Sequence, residues 1–177
     1  MSTIRETPHS VCKGLINMAA LSDNMTLLEP SAGMGKIIDT IDRCYSFTGM
    51  QYHMVELNKE KCRYLSLGAM TNPSRTIYHA DFLEFKTDIK FDRIIACPPF
   101  KGNTDVLHIE KMYSHLKKKG LLVTLTSPYW LTNNEPIQVK FREWLSDKEY
   151  SLHMLPDNTF MEKDRTVPTA MLRIYKR

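Results

Sequence analysis

The sequence lacks the features that mark secreted, membrane-spanning and zinc-binding proteins. Its four cysteines are widely spaced and form no Cys-x-x-Cys pair, which favours reduced thiols over disulfides or a zinc site. No stretch approaches the roughly 20 consecutive apolar residues of a membrane span. The opening "MSTIRETPHSV" has no apolar core of a signal peptide. We therefore expect a cytoplasmic protein with no membrane association and no metal.

Internal repeats, low-complexity tracts and linkers are also absent, so we expect a single domain over residues 1–177. The net charge of +4 permits a polyanionic partner without requiring one. The run Lys117-Lys118-Lys119, directly before Gly120, is typical of a helix C-terminus, where cations complement the helix dipole and glycine ends the helix. A nucleic-acid patch is the alternative interpretation.

Short apolar segments alternate along the chain with segments of helical periodicity. This alternation predicts βαβ units and a parallel sheet covered by helices on both faces. The last two strands have no helix between them and are predicted to pair antiparallel. The expected fold is therefore α/β, a Rossmann-like doubly wound, mostly parallel seven-stranded sheet with a reversed C-terminal strand. The predicted strands are residues 25–30, 51–57, 75–81, 91–97, 120–127, 150–155 and 169–175.

Helix starts are predicted from capping residues. Thr7 and Pro8 suit an N-cap followed by proline at the first helical position. Asn58 and Thr104 suit the N-caps of two later helices. The remaining helices are predicted at residues 36–43 and 137–145 from their periodicity.

In such sheets ligands bind beyond the carboxyl ends of the strands. The first strand is followed by "EPSAGMG", which holds Glu29, Pro30, Ala32, Gly33 and Gly35. Ile38 stands where a dinucleotide fingerprint needs its third glycine, and the Lys-Ser/Thr pair of a P-loop is missing. An acidic residue here would repel pyrophosphate and suits a ligand that presents a cation or hydroxyls.

Carboxylates also follow the second and third strands. Glu56, next to Leu57, can accept hydrogen bonds from both hydroxyls of a ribose. Asp81 can accept from the amino group of an adenine, with Phe82 beside the ring. A ligand with an adenine, a ribose and a cationic part, and with no phosphate cradle, matches S-adenosylmethionine.

The fourth strand ends in Cys97-Pro98-Pro99-Phe100. One proline suffices to end a strand, whereas two successive prolines fix a carbonyl group rigidly and remove competing donors. With these positions in hand, the sequence resembles the amino-methyltransferases that modify the exocyclic nitrogen of adenine in DNA. "TPHSV" resembles their motif X, "EPSAGMG" motif I, "VEL" motif II, "AD" motif III and "CPPF" motif IV, in the γ-class order. The resemblance extends to the tail of small phage- and prophage-type enzymes, and so covers nearly the whole chain.

The resemblance implies S-adenosylmethionine as cofactor, bound by the motif residues including Thr7, Pro8 and Cys97, and a target base in single-stranded DNA or flipped from a duplex. It also implies that the Cys97 side chain and the Pro98 carbonyl accept the two amino hydrogens while Phe100 stacks on the base. The family usually has Asn, Asp or Ser where this chain has Cys97, and a thiol is a weak acceptor. Three outcomes are open: a slow adenine methylase, a shifted target, or a binder without catalysis. A nucleophilic Cys97 is disfavoured because it precedes its proline.

Two alternatives keep the cofactor. One is methyl transfer to RNA or to a protein amide, and the other is a non-catalytic accessory subunit. Only residues 126–141 and 155–168 are long enough to approach DNA, which predicts either relaxed specificity or a separate specificity subunit. In the first of these segments, Tyr129 and Trp130 can contact a base or pack in the core, and packing is favoured.

Overall fold

A computed structural model describes residues 7–157, 159–162 and 165–177. Five α-helices and nine strands make up this part of the chain, with short 3₁₀ turns at Lys101–Asn103 and Pro128–Leu131. The helices are α1 (His9–Met18), α2 (Lys36–Cys44), α3 (Lys59–Thr71), α4 (Thr104–His115) and α5 (Pro136–Leu145). The strands are β1 (Thr26–Pro30), β2 (Gln51–Glu56), β3 (Arg75–His79), β4 (Phe91–Ala96), β5 (Leu116–Thr126), β6 (Glu149–Met154), β7 (Met161–Glu162), β8 (Arg165–Thr166) and β9 (Ala170–Tyr175).

Seven of the strands form one sheet in the order β3-β2-β1-β4-β5-β9-β6. Strands β1 to β5 pair in parallel, and β9 runs antiparallel to both β5 and β6. Strand β9 is therefore the single reversed strand, and β6 points the same way as β5. The predicted α/β fold and its reversed C-terminal strand are confirmed. The chain order turns back between β1 and β4, which is the switch point where such sheets open a crevice.

Helices cover the two faces of the sheet with separate cores. On one face, α1, α2 and α3 pack on inward side chains such as Leu27, Met54 and Val123. On the other face, α4 and α5 pack on Leu28, Ile94 and their neighbours. Side chains of successive strand residues point to opposite faces of the sheet. Because helices cover both faces, the residues on both faces of a central strand are apolar. This explains why the central strands read as nearly continuous hydrophobic runs.

Of the three predicted N-caps, Asn58 is confirmed, whereas Thr7 and Thr104 are not the capping residues. The Asn58 side chain accepts hydrogen bonds from the backbone N–H groups of Glu60 and Lys61, as expected of an N-cap. Two boundaries differ by one residue. Pro8 itself is the N-cap of α1, and Asn103 is the N-cap of α4, so Thr104 is the first helical residue.

The prediction that Lys117-Lys118-Lys119 ends a helix is wrong. Helix α4 ends at His115, and the three lysines lie in an extended bulge at the start of β5, with Lys119 at φ 62°. The helix end is instead stabilised by lysines distant in sequence. Lys90 Nζ donates to the carbonyl oxygen of Ser114, and Lys176 Nζ to that of Tyr113. Cations at a helix C-terminus are favourable whichever segment supplies them.

Gly120 has a role other than ending a helix. A Cβ atom there would lie 2.8 Å from the carbonyl oxygen of Lys117, so the bulge requires glycine. Strands β7 and β8 pair antiparallel in a separate two-stranded sheet that the sequence did not predict. Within the described residues, no helix is long and apolar enough to cross a membrane.

Candidate active site at the carboxyl edge of the sheet

The strand register places the predicted site residues along one edge. Pro30 is paired with Val55, and Ala96 with Thr124. Glu56 and Cys97 each lie one residue beyond this row, on strands separated only by β1. Neighbouring strands are about 4.8 Å apart, so the two positions are separated by two spacings, or about 10 Å. The carboxylate and the proline pair therefore face the same crevice.

The turn after β1 is built on left-handed backbone. Ser31, Gly33 and Gly35 have φ values of 66°, 58° and 77°. The left-handed backbone at Gly35 favours glycine, and a Cβ atom there would lie 2.7 Å from the end of the Leu65 side chain, which would have to move. A Cβ atom at Gly33 would meet nothing within 4 Å, so the space above this residue is open to a ligand. The N–H of buried Ala32 donates to the carbonyl oxygen of Val55 and ties the turn to β2.

Glu56 organises this turn. Its Oε2 accepts a hydrogen bond of 2.7 Å from the Gly33 N–H, and its Oε1 accepts one of 2.7 Å from the Asn58 N–H. Each carboxylate oxygen has a second lone pair. The side chain therefore fixes the turn and retains the capacity to accept hydrogen bonds from two further donors.

Glu29 is the buried acid of the site. Its side chain is 2% exposed, and its Oε2 has no hydrogen-bond partner among the described residues. Burial, and then the negative charge of Asp39, raise the pKa of this carboxyl group well above its ordinary value. An unpartnered buried carboxyl oxygen is costly. A cationic or hydrogen-bonding ligand would compensate for that cost.

Asp81 and Phe82, the two residues predicted to contact the adenine, differ in exposure from each other, and Leu57 beside Glu56 is also exposed. Leu57 is 65% exposed and offers an apolar surface next to Glu56. Asp81 is exposed, and its Oδ1 accepts a hydrogen bond from the Leu83 N–H. Phe82 is 3% exposed and packs against His108 and Phe85, so its ring belongs to the core in this structure.

The segments that resemble motifs X and IV meet at Cys97. Burial raises the pKa of the Cys97 thiol to about 11. A hydrogen bond with the Thr7 side chain lowers this pKa in part, and the negative charge of Glu29 raises it further. Cys12 of α1 lies in the same cluster, and burial also raises the pKa of its thiol to about 11. Both thiols are therefore neutral near pH 7, which makes Cys97 a weak hydrogen-bond acceptor rather than a thiolate nucleophile.

The proline pair and its aromatic residue form a rigid exit from β4. Pro98 is buried, Pro99 is half-buried, and both lie outside the strand. Phe100 is half-buried and packs against the core on the α1–α2 face. The segment then enters the 3₁₀ turn that precedes α4.

Two further residues of this edge were not predicted as site residues. His108 Nδ1 lies 3.5 Å from the Ser31 hydroxyl, and burial lowers the pKa of this histidine to about 4, so its ring is neutral. Asp105 is buried, and its Oδ2 accepts hydrogen bonds of 2.9 and 2.8 Å from the Thr126 hydroxyl and the Ser127 N–H. Both belong to α4, whose helical periodicity carries no signal of these long-range contacts. Among the residues that the structure describes, no group of three or more His, Cys, Asp or Glu side chains is placed to hold a metal ion.

No family model matches the sequence, and no curated protein matches it significantly. Solved structures do match the fold. A Listeria monocytogenes protein described as a class I S-adenosylmethionine-dependent methyltransferase aligns with a TM-score of 0.76 and 16% identity, over 96% of this chain and 60% of its own. The methyltransferase subunit of a type I restriction-modification system from Streptococcus thermophilus aligns with a TM-score of 0.83 and 19% identity, over 97% and 44%. A precorrin-6y C5,15-methyltransferase from Geobacter metallireducens aligns with a TM-score of 0.70 and 14% identity, over 100% and 93%.

The present chain thus spans less than two thirds of the first two of these proteins. At such low identity the likeness concerns the fold alone. The fold is that of the class I methyltransferases, with a seven-stranded mixed sheet and a reversed C-terminal strand.

Proposed function

We propose that this protein is a methyltransferase that uses S-adenosylmethionine to methylate the exocyclic amino group of adenine in DNA. One observation carries the proposal. Buried Glu29, hydrogen-bonded Glu56 and the Cys97-Pro98-Pro99 segment converge on one edge of a methyltransferase fold, within two strand spacings of each other.

The residues at the β1–β2 end fit the proposed cofactor. Glu56 has free lone pairs for the two ribose hydroxyls, and Leu57 presents an apolar surface for the adenine. The open space above Gly33 admits the ligand, and Glu29 has an unpartnered oxygen for a cationic group. The structural neighbour from Listeria monocytogenes is described as dependent on this same compound.

Each remaining predicted residue has a proposed position in this site. Thr7, whose side chain bonds to Cys97, and Pro8 would close the site from the α1 side. Asp81 would accept from the adenine amino group. Pro30, Ala32 and Gly35 would shape the turn through their backbone.

The cofactor would supply an electrophilic methyl group bound to a sulfonium. The chain's own residues would prepare the acceptor. The lone pair of adenine's amino nitrogen is delocalised into the ring, so it attacks poorly unless its two hydrogens are held by acceptors. The rigid Pro98 carbonyl provides one acceptor, and Phe100 provides a face for the base. As the nitrogen–carbon bond formed, the sulfur–methyl bond would break and the sulfur would leave as a neutral thioether, and the nitrogen would lose one proton to solvent.

The second acceptor is the weak point of this site. A neutral Cys97 thiol accepts hydrogen bonds poorly. Losing one good acceptor of this kind costs on the order of 3 kcal/mol, or roughly a hundredfold in rate. This observation supports a second candidate function, a catalytically impaired accessory subunit that binds the cofactor. The restriction-modification subunit from Streptococcus thermophilus is itself part of a larger system, which supports a separate specificity subunit as a partner.

The test is methyl transfer from labelled S-adenosylmethionine to DNA, RNA and protein in parallel. We expect label on N6 of adenine in DNA, and modification-sensitive sequencing would then give the site preference. Label in RNA or protein alone would redirect the proposal to another planar nitrogen. Tight cofactor binding without transfer to any acceptor would favour the accessory subunit.

A further inference from the structure

The turn after β5 is held rigidly at the same edge of the sheet. The Trp130 indole N–H donates to the Thr126 hydroxyl at 3.1 Å, and that hydroxyl donates to Asp105. Arg142 of α5 donates to the carbonyl oxygens of Trp130 and Asn133. Side chains from two helices thus fix the position of this short turn.

Within this turn, two adjacent aromatic residues have opposite environments. Trp130 is 2% exposed and packs edge-on against Phe141, with its ring centroid 5.1 Å away. Tyr129 is 51% exposed, and its side chain makes no hydrogen bond or ring contact with any residue that the structure describes. The packing predicted for the pair therefore holds for Trp130 and fails for Tyr129. A rigid turn thus presents a large aromatic ring to solvent at a fixed position.

The turn that carries this ring begins next to the segment that holds the proline pair. Ala96 is in register with Thr124, so the exits of β4 and β5 run next to each other, about one strand spacing apart. Phe100 packs against the core on the α1–α2 face, whereas the 128–131 turn is anchored through Trp130 in the core on the α4–α5 face. Phe100 and the 128–131 turn therefore lie toward opposite faces of the sheet, at the same carboxyl edge.

We propose that Tyr129 stacks on a nucleobase of the acceptor strand next to the methylation site. This inference rests on the proposed function, and it adds a residue that binds the acceptor strand to it. An aromatic ring on a fixed turn loses little conformational freedom when it stacks on a base. Such stacking also tolerates any base, because every base has a flat face. Residues 127–134 are Ser, Pro, Tyr, Trp, Leu, Thr, Asn and Asn, so the turn itself carries no basic side chain. Arg142, which contacts the turn from α5, is engaged by the carbonyl oxygens of Trp130 and Asn133.

The test compares Tyr129→Ala with Tyr129→Phe in binding a fluorescein-labelled single-stranded DNA 20-mer that contains adenine. Removing one stacked base contact should weaken oligonucleotide affinity roughly five- to a hundredfold. Tyr129→Phe should retain most of the affinity, because stacking needs the ring and not the hydroxyl. The salt dependence of binding should have the same slope in Tyr129→Ala as in the parent, since no phosphate contact is lost. In turnover assays KM for the oligonucleotide should rise more than kcat falls.

The matched control is Tyr150→Ala. Tyr150 is 45% exposed, but it lies near the start of β6, at the opposite edge of the sheet. We expect this variant to bind oligonucleotide like the parent, and all variants to bind S-adenosylmethionine equally. If Tyr129→Ala binds and methylates the oligonucleotide like the parent, the inference is overturned while the proposed function stands. If the parent shows affinity for a protein acceptor and none for the oligonucleotide, both are overturned.

Discussion

The two halves of the carboxyl edge differ in how completely they are prepared for chemistry. At the β1–β2 half, Glu56 already holds two backbone N–H groups and has capacity for more. At the β4–β5 half, two prolines fix the backbone, yet Cys97 offers a neutral thiol where the proposed reaction requires a strong acceptor. Backbone geometry and side-chain chemistry are thus separable. One half has both, and the other has the geometry alone.

The largest expected effect is the loss of cofactor affinity when Glu56, at the β1–β2 half, is replaced. Glu56→Ala removes both the ribose acceptor and the hydrogen bonds that fix the Gly33 turn. We expect affinity for S-adenosylmethionine to fall by more than about a hundredfold, since two charge-assisted hydrogen bonds are lost together. Isothermal titration calorimetry measures this directly. Glu60→Ala, an exposed acid in the first turn of α3, is the control and should bind normally. Unchanged affinity in Glu56→Ala would remove this residue from the site.

The next largest effect is an increase in the rate of methyl transfer when Cys97, at the β4–β5 half, is replaced by a better acceptor. Cys97→Asn introduces a strong acceptor next to the Pro98 carbonyl. We expect the rate of methyl transfer to adenine to rise by up to roughly a hundredfold, with cofactor affinity little changed. Single-turnover measurement with labelled cofactor checks this. Cys97→Ala, which has no acceptor, should be no faster than the parent. An asparagine variant as slow as the alanine variant would contradict the weak-acceptor explanation.

A smaller effect concerns the buried acid. Because burial raises the pKa of Glu29, this group binds a proton more tightly in the folded chain than in the unfolded chain, so its contribution to stability is lost as pH rises. A bound cation would lower that pKa and release the proton. We therefore expect S-adenosylmethionine to bind more tightly as pH rises above the ordinary glutamate range.

In Glu29→Gln the pH dependence of cofactor affinity should flatten, affinity should fall by about tenfold, and the free protein should be more stable above neutral pH. Calorimetry over pH and thermal unfolding give the two measurements. If affinity in the parent is independent of pH, Glu29 does not meet a cation in the complex.

The smallest expected effect comes from Asp105, which stabilises the chain at the end of β5. Asp105→Asn weakens the link from α4 to the Thr126 hydroxyl and the Ser127 N–H. We expect a loss of about 1–2 kcal/mol in the free energy of unfolding. We also expect slower methyl transfer at unchanged cofactor affinity. Chemical denaturation and cofactor titration separate the two. Lower affinity for S-adenosylmethionine would show that the two halves are coupled.

Most of the fold could be predicted from local patterns in the sequence. Alternating apolar and helical segments gave every strand of the main sheet, because burial on both faces imposes a continuous apolar pattern on central strands. Asn58 capped α3 because an N-cap bond forms within three residues of its own position. The prediction that lysines 117–119 end a helix was wrong because the stabilising contacts at that helix end are not local. The cations that stabilise the end of α4, Lys90 and Lys176, come from other segments of the chain.

The candidate site divides in the same way. The sequence by itself determined which residues stand at the strand ends, including Glu29, Glu56 and Cys97-Pro98-Pro99-Phe100, because strand ends follow from local pattern. Only the tertiary structure decided that Glu29 lacks a partner, that Phe82 is buried, that His108 is neutral beside Ser31, and that Tyr129 is exposed while Trp130 is not. Burial and hydrogen bonding between distant segments set these properties, and they arise only when the sheet brings its strand ends together.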